Sequence, residues 1–297
     1  MASAATTETG PVRTGALNSA NSGFIVYRTG QLEYDFVAEG TQFSADLVNY
    51  MNKTQGDTIS TYLYTEAFGV RHRLHWLVHL KSPHDYQRLL KMVDTDKAYQ
   101  DISTQDRLPA KGGGNWERMF GPGTFAERVL CPQHGFGKPP EGAIDQRTMF
   151  AVPAQYQTTQ AVESQLNSTT AGAIILRTGK ARYEFREECR QFAVAWAEYV
   201  NRALPGIVTA FLFEEIFGRQ DTLHLMIHLR SLGDYATLAG LADEDPGYRD
   251  FLGRSWVMGR GGDGTWGNLY VAGSLQDTVL LPQTGSAATV LPATGRR

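Results

Sequence analysis

The chain repeats itself, and that constrains its fold more than any other feature. Shifting the 297-residue sequence by 149 positions lays residues 23–99 on residues 172–248 without a gap, and about 27 of those 77 positions are identical. Arg28-Thr29-Gly30 returns as Arg177-Thr178-Gly179, and Glu66-x-Phe68-Gly69 as Glu215-x-Phe217-Gly218. Leu74-His75-x3-His79-Leu80 returns as Leu223-His224-x3-His228-Leu229. Further on the shift becomes 150, where Trp116 meets Trp266 and Pro132-Gln133 meets Pro282-Gln283. A period of about 150 residues is the size of a domain and far too long for a solenoid unit. The sequence therefore predicts two copies of one unit, over 23–135 and 171–285. The stretch 136–170, rich in Pro, Gln, Ser and Thr, reads as a linker, 1–22 as a disordered tail and 286–297 as a tail.

Both copies carry the same elements. Short apolar runs ending at Thr-Gly, 24–28 and 173–177, predict a first strand. Residues 36–52 and 185–204 place apolar side chains at helical spacing. Strands are predicted over 59–68 and 208–217, with a hairpin opening at Gly69 or Gly218 into strands 74–80 and 223–229. Ser82-x-x-Asp85 and Ser231-x-x-Asp234 are capping boxes that would start a second helix. A last strand follows at 125–130 and 278–281. The order β-α-β-β-α-β is that of a ferredoxin-like unit.

Composition narrows the function classes. A net charge of −3 and a pI near 6.2, without a Lys/Arg stripe, argue against nucleic acid as a partner. No apolar run approaches the ~20 residues of a membrane span, so no membrane partner is expected. Cys131 and Cys189 are too few for a disulfide framework, so the expected compartment is the reducing cytoplasm.

Here a resemblance enters. In copy one Ser82, Asp85, Tyr86, Leu89, Asp94, Asp96 and Tyr99, and in copy two Ser231, Asp234, Tyr235, Leu238, Asp243, Asp245 and Tyr248, give the pattern Ser-x-x-Asp-Tyr-x-x-Leu followed by Asp-x-Asp-x-x-Tyr. On a tandem β-α-β-β-α-β unit this resembles the dimeric α/β-barrel superfamily, which includes antibiotic-biosynthesis monooxygenases, small polyketide cyclases and haem-degrading and chlorite-dismutase-like proteins. The resemblance implies an α+β fold in which two ferredoxin-like domains form an intramolecular pseudo-dimeric barrel around a cavity. Its motif is structural, so the chemistry has to be read from the side chains that face inward.

Strand alternation supplies those side chains. Leu74, Trp76, Val78 and Leu80 form an apolar face for the helices, leaving His75 and His79 to the interior; His224 and His228 follow suit. With a four-residue hairpin loop, Glu66 lies across from His75 and Glu215 across from His224. A Glu–His pair is an acid–base device, because the carboxylate fixes the tautomer and raises imidazole basicity. The expected catalytic residues are His75, Glu66, His224 and Glu215. His79, His228, Tyr62, Tyr64, Phe211 and Phe213 would bind substrate inside the barrel. Trp116 and Trp266 would also bind substrate, as anchors of two Gly-rich loops, 112–114 and 259–264, read as mobile lids.

His-x3-His on a strand spans ~13 Å, too far for His75 and His79 to share an ion. Any metal would rest on Glu66, His75, Glu215 and His224. The expectation is an enzyme, most simply without a cofactor, of monooxygenase or cyclase type, acting on a hydrophobic aromatic small molecule in secondary metabolism. The alternatives are a transition-metal or haem-dependent oxidoreductase on the same residues and a non-catalytic metabolite-binding protein. Exposed sheet edges would allow the fused pair to form a homodimer. Arg28 and Arg177, ending the first strand beside Thr-Gly, are read as turn salt bridges rather than an anion clamp. Leu281-Pro-Gln-Thr-Gly285 and Leu291-Pro-Ala-Thr-Gly295 look like sortase signals but lack an apolar segment after them.

Overall fold

The structure, a computed structural model, describes residues 16–56, 58–135, 148–257 and 264–283. The first half runs β1 (Phe24–Gln31), α1 (Val37–Gln55), β2 (Ile59–Ala67), β3 (Arg73–Leu80), α2 (Pro83–Thr95), α3 (Lys97–Thr104) and β4 (Ala126–Pro132). The second runs β5 (Ala173–Lys180), α4 (Arg186–Ala203), β6 (Val208–Glu215), β7 (Thr222–Leu229), α5 (Tyr235–Glu244), α6 (Pro246–Gly253) and β8 (Gln276–Pro282). The eight strands close into one antiparallel barrel in the order β1-β3-β2-β8-β5-β7-β6-β4. The seams between halves are β2 with β8, where Tyr64 faces Pro282, and β4 with β6, where Leu130 faces Glu215. The fold is thus α+β, as expected. Closure pairs every described strand on both sides, so the free sheet edges expected for a homodimer are not there.

Alternation sorts the strand residues as the sequence implies. Leu74, Trp76, Val78 and Leu80 pack under the helices with Phe43, Val48 and Leu89. Leu77, Ile25, Tyr62 and Tyr64 turn inward with Phe211, Phe213 and Met226. Both capping boxes form. The predicted second helix is broken in two, because Asp96 and Asp245 each cap a further helix. Asp96 accepts from the Ala98 and Tyr99 N–H groups, and Asp245 from those of Gly247 and Tyr248. The Tyr50 and Tyr199 hydroxyls donate to the same carboxylates, which ties each break to the long helix beside it. That is the structural work of the Asp-x-Asp-x-x-Tyr motif.

The hairpin register differs from expectation by two residues. His75 lies across from Tyr64 and His224 across from Phe213, not from the glutamates. Phe68 and His72 take left-handed backbone, with φ of 58° and 62°, which removes them from the ladder and widens the turn.

The described parts of the expected tail and linker are built into the molecule. Leu17, Ser19, Ser22 and Ser168 are almost wholly buried. Residues 16–22 and 165–171 enter one end of the barrel, and Ala20, Ala154 and Ala171 join its interior cluster. Residues 1–15 and 136–147 of these segments, the loop 258–263, the 286–297 tail and the sortase-like motifs from residue 284 onward lie outside the described residues. Arg28 pairs with Glu127, and Arg177 with Asp277 at 2.8 Å, as cross-strand ion pairs. No helix among the described residues is long and apolar enough to cross a membrane.

Candidate functional site

The barrel interior has two unlike ends. At the plugged end the two inserted segments grip each other. The Ser19 N–H donates to Ser168 Oγ and the Ser168 N–H to Ser19 Oγ, both at 3.0 Å. Ser168 Oγ then donates to His79 Nε2 at 3.1 Å, and Ser19 Oγ to His228 Nε2 at 2.7 Å. The other ring nitrogens donate to backbone carbonyls, His79 Nδ1 to Leu77 and His228 Nδ1 to Thr209. Burial pushes His79 down to about 3 and His228 down to about 4, so both are neutral hydrogen-bonding posts. The Tyr62 hydroxyl donates to the Leu17 carbonyl and that of Tyr64 to the Ser168 carbonyl. Tyr62, Tyr64, Phe211, Phe213, His79 and His228, expected as substrate walls, are therefore the socket for the plug. All six are buried and absent from the lining of the cavity described next.

At the other end a cavity of about 350 Å³ opens between the halves. That volume is within the range of small-molecule sites. Tyr27, Thr29, Arg73, His75, Ala126 and Arg128 line it from the first half, and Leu176, Thr178, Lys180, Glu215 and Arg219 from the second, with Thr222, Gln276 and Thr278. The expected hydrophobic chamber is thus a polar, cation-rich mouth. Trp116 stacks on Phe43 and Trp266 on Phe192, both on the helical exterior, so neither tryptophan reaches this cavity.

Of the expected catalytic groups, the structure brings Glu66 to His75 and Glu215 to His224, as two separate pairs. Glu66 reaches diagonally across the ladder, where its Oε2 accepts from His75 Nε2–H at 3.3 Å. Its other oxygen accepts the Val70 N–H at 2.9 Å, and Arg73 lies 3.4 Å from Oε2. His75 Nδ1 accepts from the Tyr27 hydroxyl at 2.7 Å. Burial, helped by Arg73, pushes His75 down to about 3. Burial raises the Tyr27 phenol, against a smaller opposing effect of Arg128. The resting arrangement is a carboxylate, a neutral imidazole and a protonated phenol in one hydrogen-bonded row, with the phenol facing the cavity.

The second pair is looser. Thr178 donates to His224 Nδ1 at 3.0 Å, while His224 Nε2 and Glu215 Oε2 stand 3.5 Å apart, neither with a hydrogen bond. Burial lowers the His224 pKa against the pull of Glu215. Burial works to raise Glu215, but His224, the Arg219 N–H and the Arg128 charge outweigh it and leave the carboxyl below its ordinary value.

Tyr27, Arg73, Arg128, Lys180 and Arg219 were not anticipated from the sequence. The first four sit on inward positions of their strands, so alternation could have found them; only closure of the barrel says which end stays open. Among the described residues, no three His, Cys, Asp or Glu side chains converge as a metal would require. The ring nitrogens of His75 are both engaged, and its side chain is 1% exposed, so it offers no free axial ligand to a haem iron. Among the described residues, the Glu–His pairs do not fit a resident metal and His75 does not fit a haem.

Comparison with solved structures finds the same barrel in sequences of very low identity. A protein of Fusobacterium nucleatum subsp. nucleatum ATCC 25586, provisionally named a monooxygenase, aligns over 91% of this chain and 94% of its own, with TM-score 0.53 and 8% identity. One of the same provisional name from Lactobacillus acidophilus NCFM aligns over 87% and 93%, with TM-score 0.50 and 8% identity. A haem-binding protein from Thermus thermophilus aligns over 92% and 96%, with TM-score 0.50 and 10% identity. These are likenesses of fold. No curated protein matches the sequence. A family model matches residues 1–288, and by that match the chain belongs to DUF6039, a family of unknown function.

Proposed function

We propose that this chain is an enzyme performing acid–base chemistry on a small organic molecule held at the open end of the barrel, of monooxygenase or cyclase type and biosynthetic in role. We read the molecule as two ferredoxin-like units fused into a pseudo-dimer, with the site where they meet. The observation that carries the proposal is the row Glu66–His75–Tyr27 ending on the cavity. Tyr27 is the catalytic residue, and His75 and Glu66 act through it.

In the proposed step the Tyr27 oxygen takes a proton from an acidic C–H or O–H of the substrate while its own proton passes to His75 Nδ1. The substrate keeps the electron pair as an enolate or phenolate. His75 becomes an imidazolium, which Glu66 stabilises more strongly in this dry surrounding than it could in water. Arg128, directly across from Tyr27 on β4, faces the new negative charge. Such an anion attacks a carbonyl in a cyclase and reacts with dioxygen in a cofactor-independent monooxygenase. An oxidoreductase-like role is the coarser form of the same reading, and the likeness to proteins provisionally named monooxygenases supports it.

The test is deuterium exchange into cyclic 1,3-diketones and phenols, followed by NMR, with oxygen uptake recorded in parallel. The expected result is catalysed exchange that falls at least ~100-fold in Tyr27→Phe and in His75→Gln, the range for loss of a positioned acid–base group. Exchange that persists in both variants would sink the assignment. Oxygen uptake separates the two reaction types.

A further inference from the structure

Both halves line the cavity, and there the two copies of the repeat disagree. Position 27 is Tyr and its counterpart 176 is Leu; 73 is Arg against Thr222; 126 is Ala against Gln276; 128 is Arg against Thr278. All eight residues line the cavity, and of its matched pairs only Thr29 and Thr178 are alike. The Glu–His pairs are retained in both copies, with His75 of the first and Glu215 of the second reaching the lining. Across β1 and β4 the first half sets Tyr27 against Arg128, where the second sets Leu176 against Thr278. Two equivalent sites would need the same groups on both sides. This wall has a reacting side and a plain side.

Charge adds a second observation. Arg73, Arg128, Lys180 and Arg219 line the cavity, although the protein as a whole carries −3. Arg73 has Glu66 as partner. Among the described residues Arg128, Lys180 and Arg219 make no ion pair with a carboxylate, and the only carboxylate in the lining is Glu215. With Glu66 and Glu215 both counted, roughly two positive charges remain around the cavity and attract an anion to it.

We infer that the cavity is a single site per chain for a small organic carboxylate, its acid group held by Arg128 with Arg219 and Lys180 and its body laid against Tyr27, Leu176 and Ala126. A guanidinium matches a carboxylate as a two-pronged donor. The Tyr27 ring, Leu176 and Ala126 give the apolar surface an organic body needs, and no helix N-terminus joins the lining as a phosphate cradle would have it. The inference rests on the reading of this cavity as a substrate site and supplies its substrate class.

Isothermal titration of the full chain with benzoate, benzamide and inorganic phosphate tests it. Benzoate is expected to saturate at one per chain, with benzamide at least about ten-fold weaker, as loss of a charge-assisted contact implies. Arg128→Gln should weaken benzoate at least about ten-fold with its melting temperature unchanged, and Arg128→Lys should recover part of the loss. No saturable benzoate binding, two equivalents per chain, phosphate binding more tightly than benzoate, or indifference to Arg128→Gln would each overturn the inference. The two proposals fail separately. Full exchange in Tyr27→Phe with benzoate binding intact removes the acid–base role alone. Lost exchange in Tyr27→Phe, with wild-type benzoate binding in Arg128→Gln, removes the carboxylate site alone.

Discussion

His75, His79 and His228 fold without charge, and that has a cost in acid. Their folded values lie at about 3, about 3 and about 4 against the ordinary 6.5, because burial disfavours the imidazolium. Below pH 6.5 the unfolded chain takes up protons that the folded chain refuses, so stability is full above that pH and falls as pH drops. At 1.36 kcal/mol per pH unit, each histidine contributes a loss of about 2 kcal/mol by pH 5, and the three together roughly 6 kcal/mol. That is of the order of a whole domain's stability. Urea midpoints should therefore fall steeply between pH 7 and pH 5; a flat profile would mean that these rings are protonated in the fold. At this scale the sequence showed four histidines shared by both copies, and alternation put them inside. It did not separate His75, beside the cavity, from His79, clamped by Ser168, because both occupy the same face of one strand.

Turns and inserted segments decide how those rings are held. Gly69 and Gly218 sit under the glutamate carboxylates, and a Cβ at either would collide with Glu66 Oε1 or Glu215 Oε1. Their absent side chains let the Val70 and Arg219 N–H groups fix the acids. Gly69→Ala, at a backbone conformation open to any residue, should displace Glu66 and slow deuterium exchange about ten-fold or more while the chain stays folded; an unchanged rate would show that Glu66 does not matter to Tyr27. The serine clasp is a matter of stability. Ser19→Ala leaves His228 Nε2 and the Ser168 N–H without partners in the interior and should cost about 2–6 kcal/mol in urea unfolding, at roughly 1–3 kcal/mol per orphaned buried group. A cost below ~0.5 kcal/mol would mean that the plug is not anchored there. Repeat arithmetic could have found this clasp, since Leu17-Asn18-Ser19 matches Leu166-Asn167-Ser168 at the same shift of 149. Its polar composition made it look like tail and linker, and only burial shows otherwise.

For the molecule as a whole, closure is the controlling fact. Each half ends in a strand that pairs with the other half, β4 on β6 and β8 on β2. A chain of residues 16–135 alone would expose both β2 and β4. It should self-associate as a homodimer that rebuilds the barrel. Light scattering reads this directly, and a stable folded monomer would contradict it. The sequence by itself determined the internal repeat, the strand order, the capping boxes and the inward histidines, because these follow from local spacing and from comparing one half with the other. Only the tertiary structure decided that residues 16–22 and 165–171 fill one end and leave the other open to Arg73, Arg128, Lys180 and Arg219. Those four come from separate strands and turns of both halves, and no local pattern in the chain records that closing the barrel brings them together.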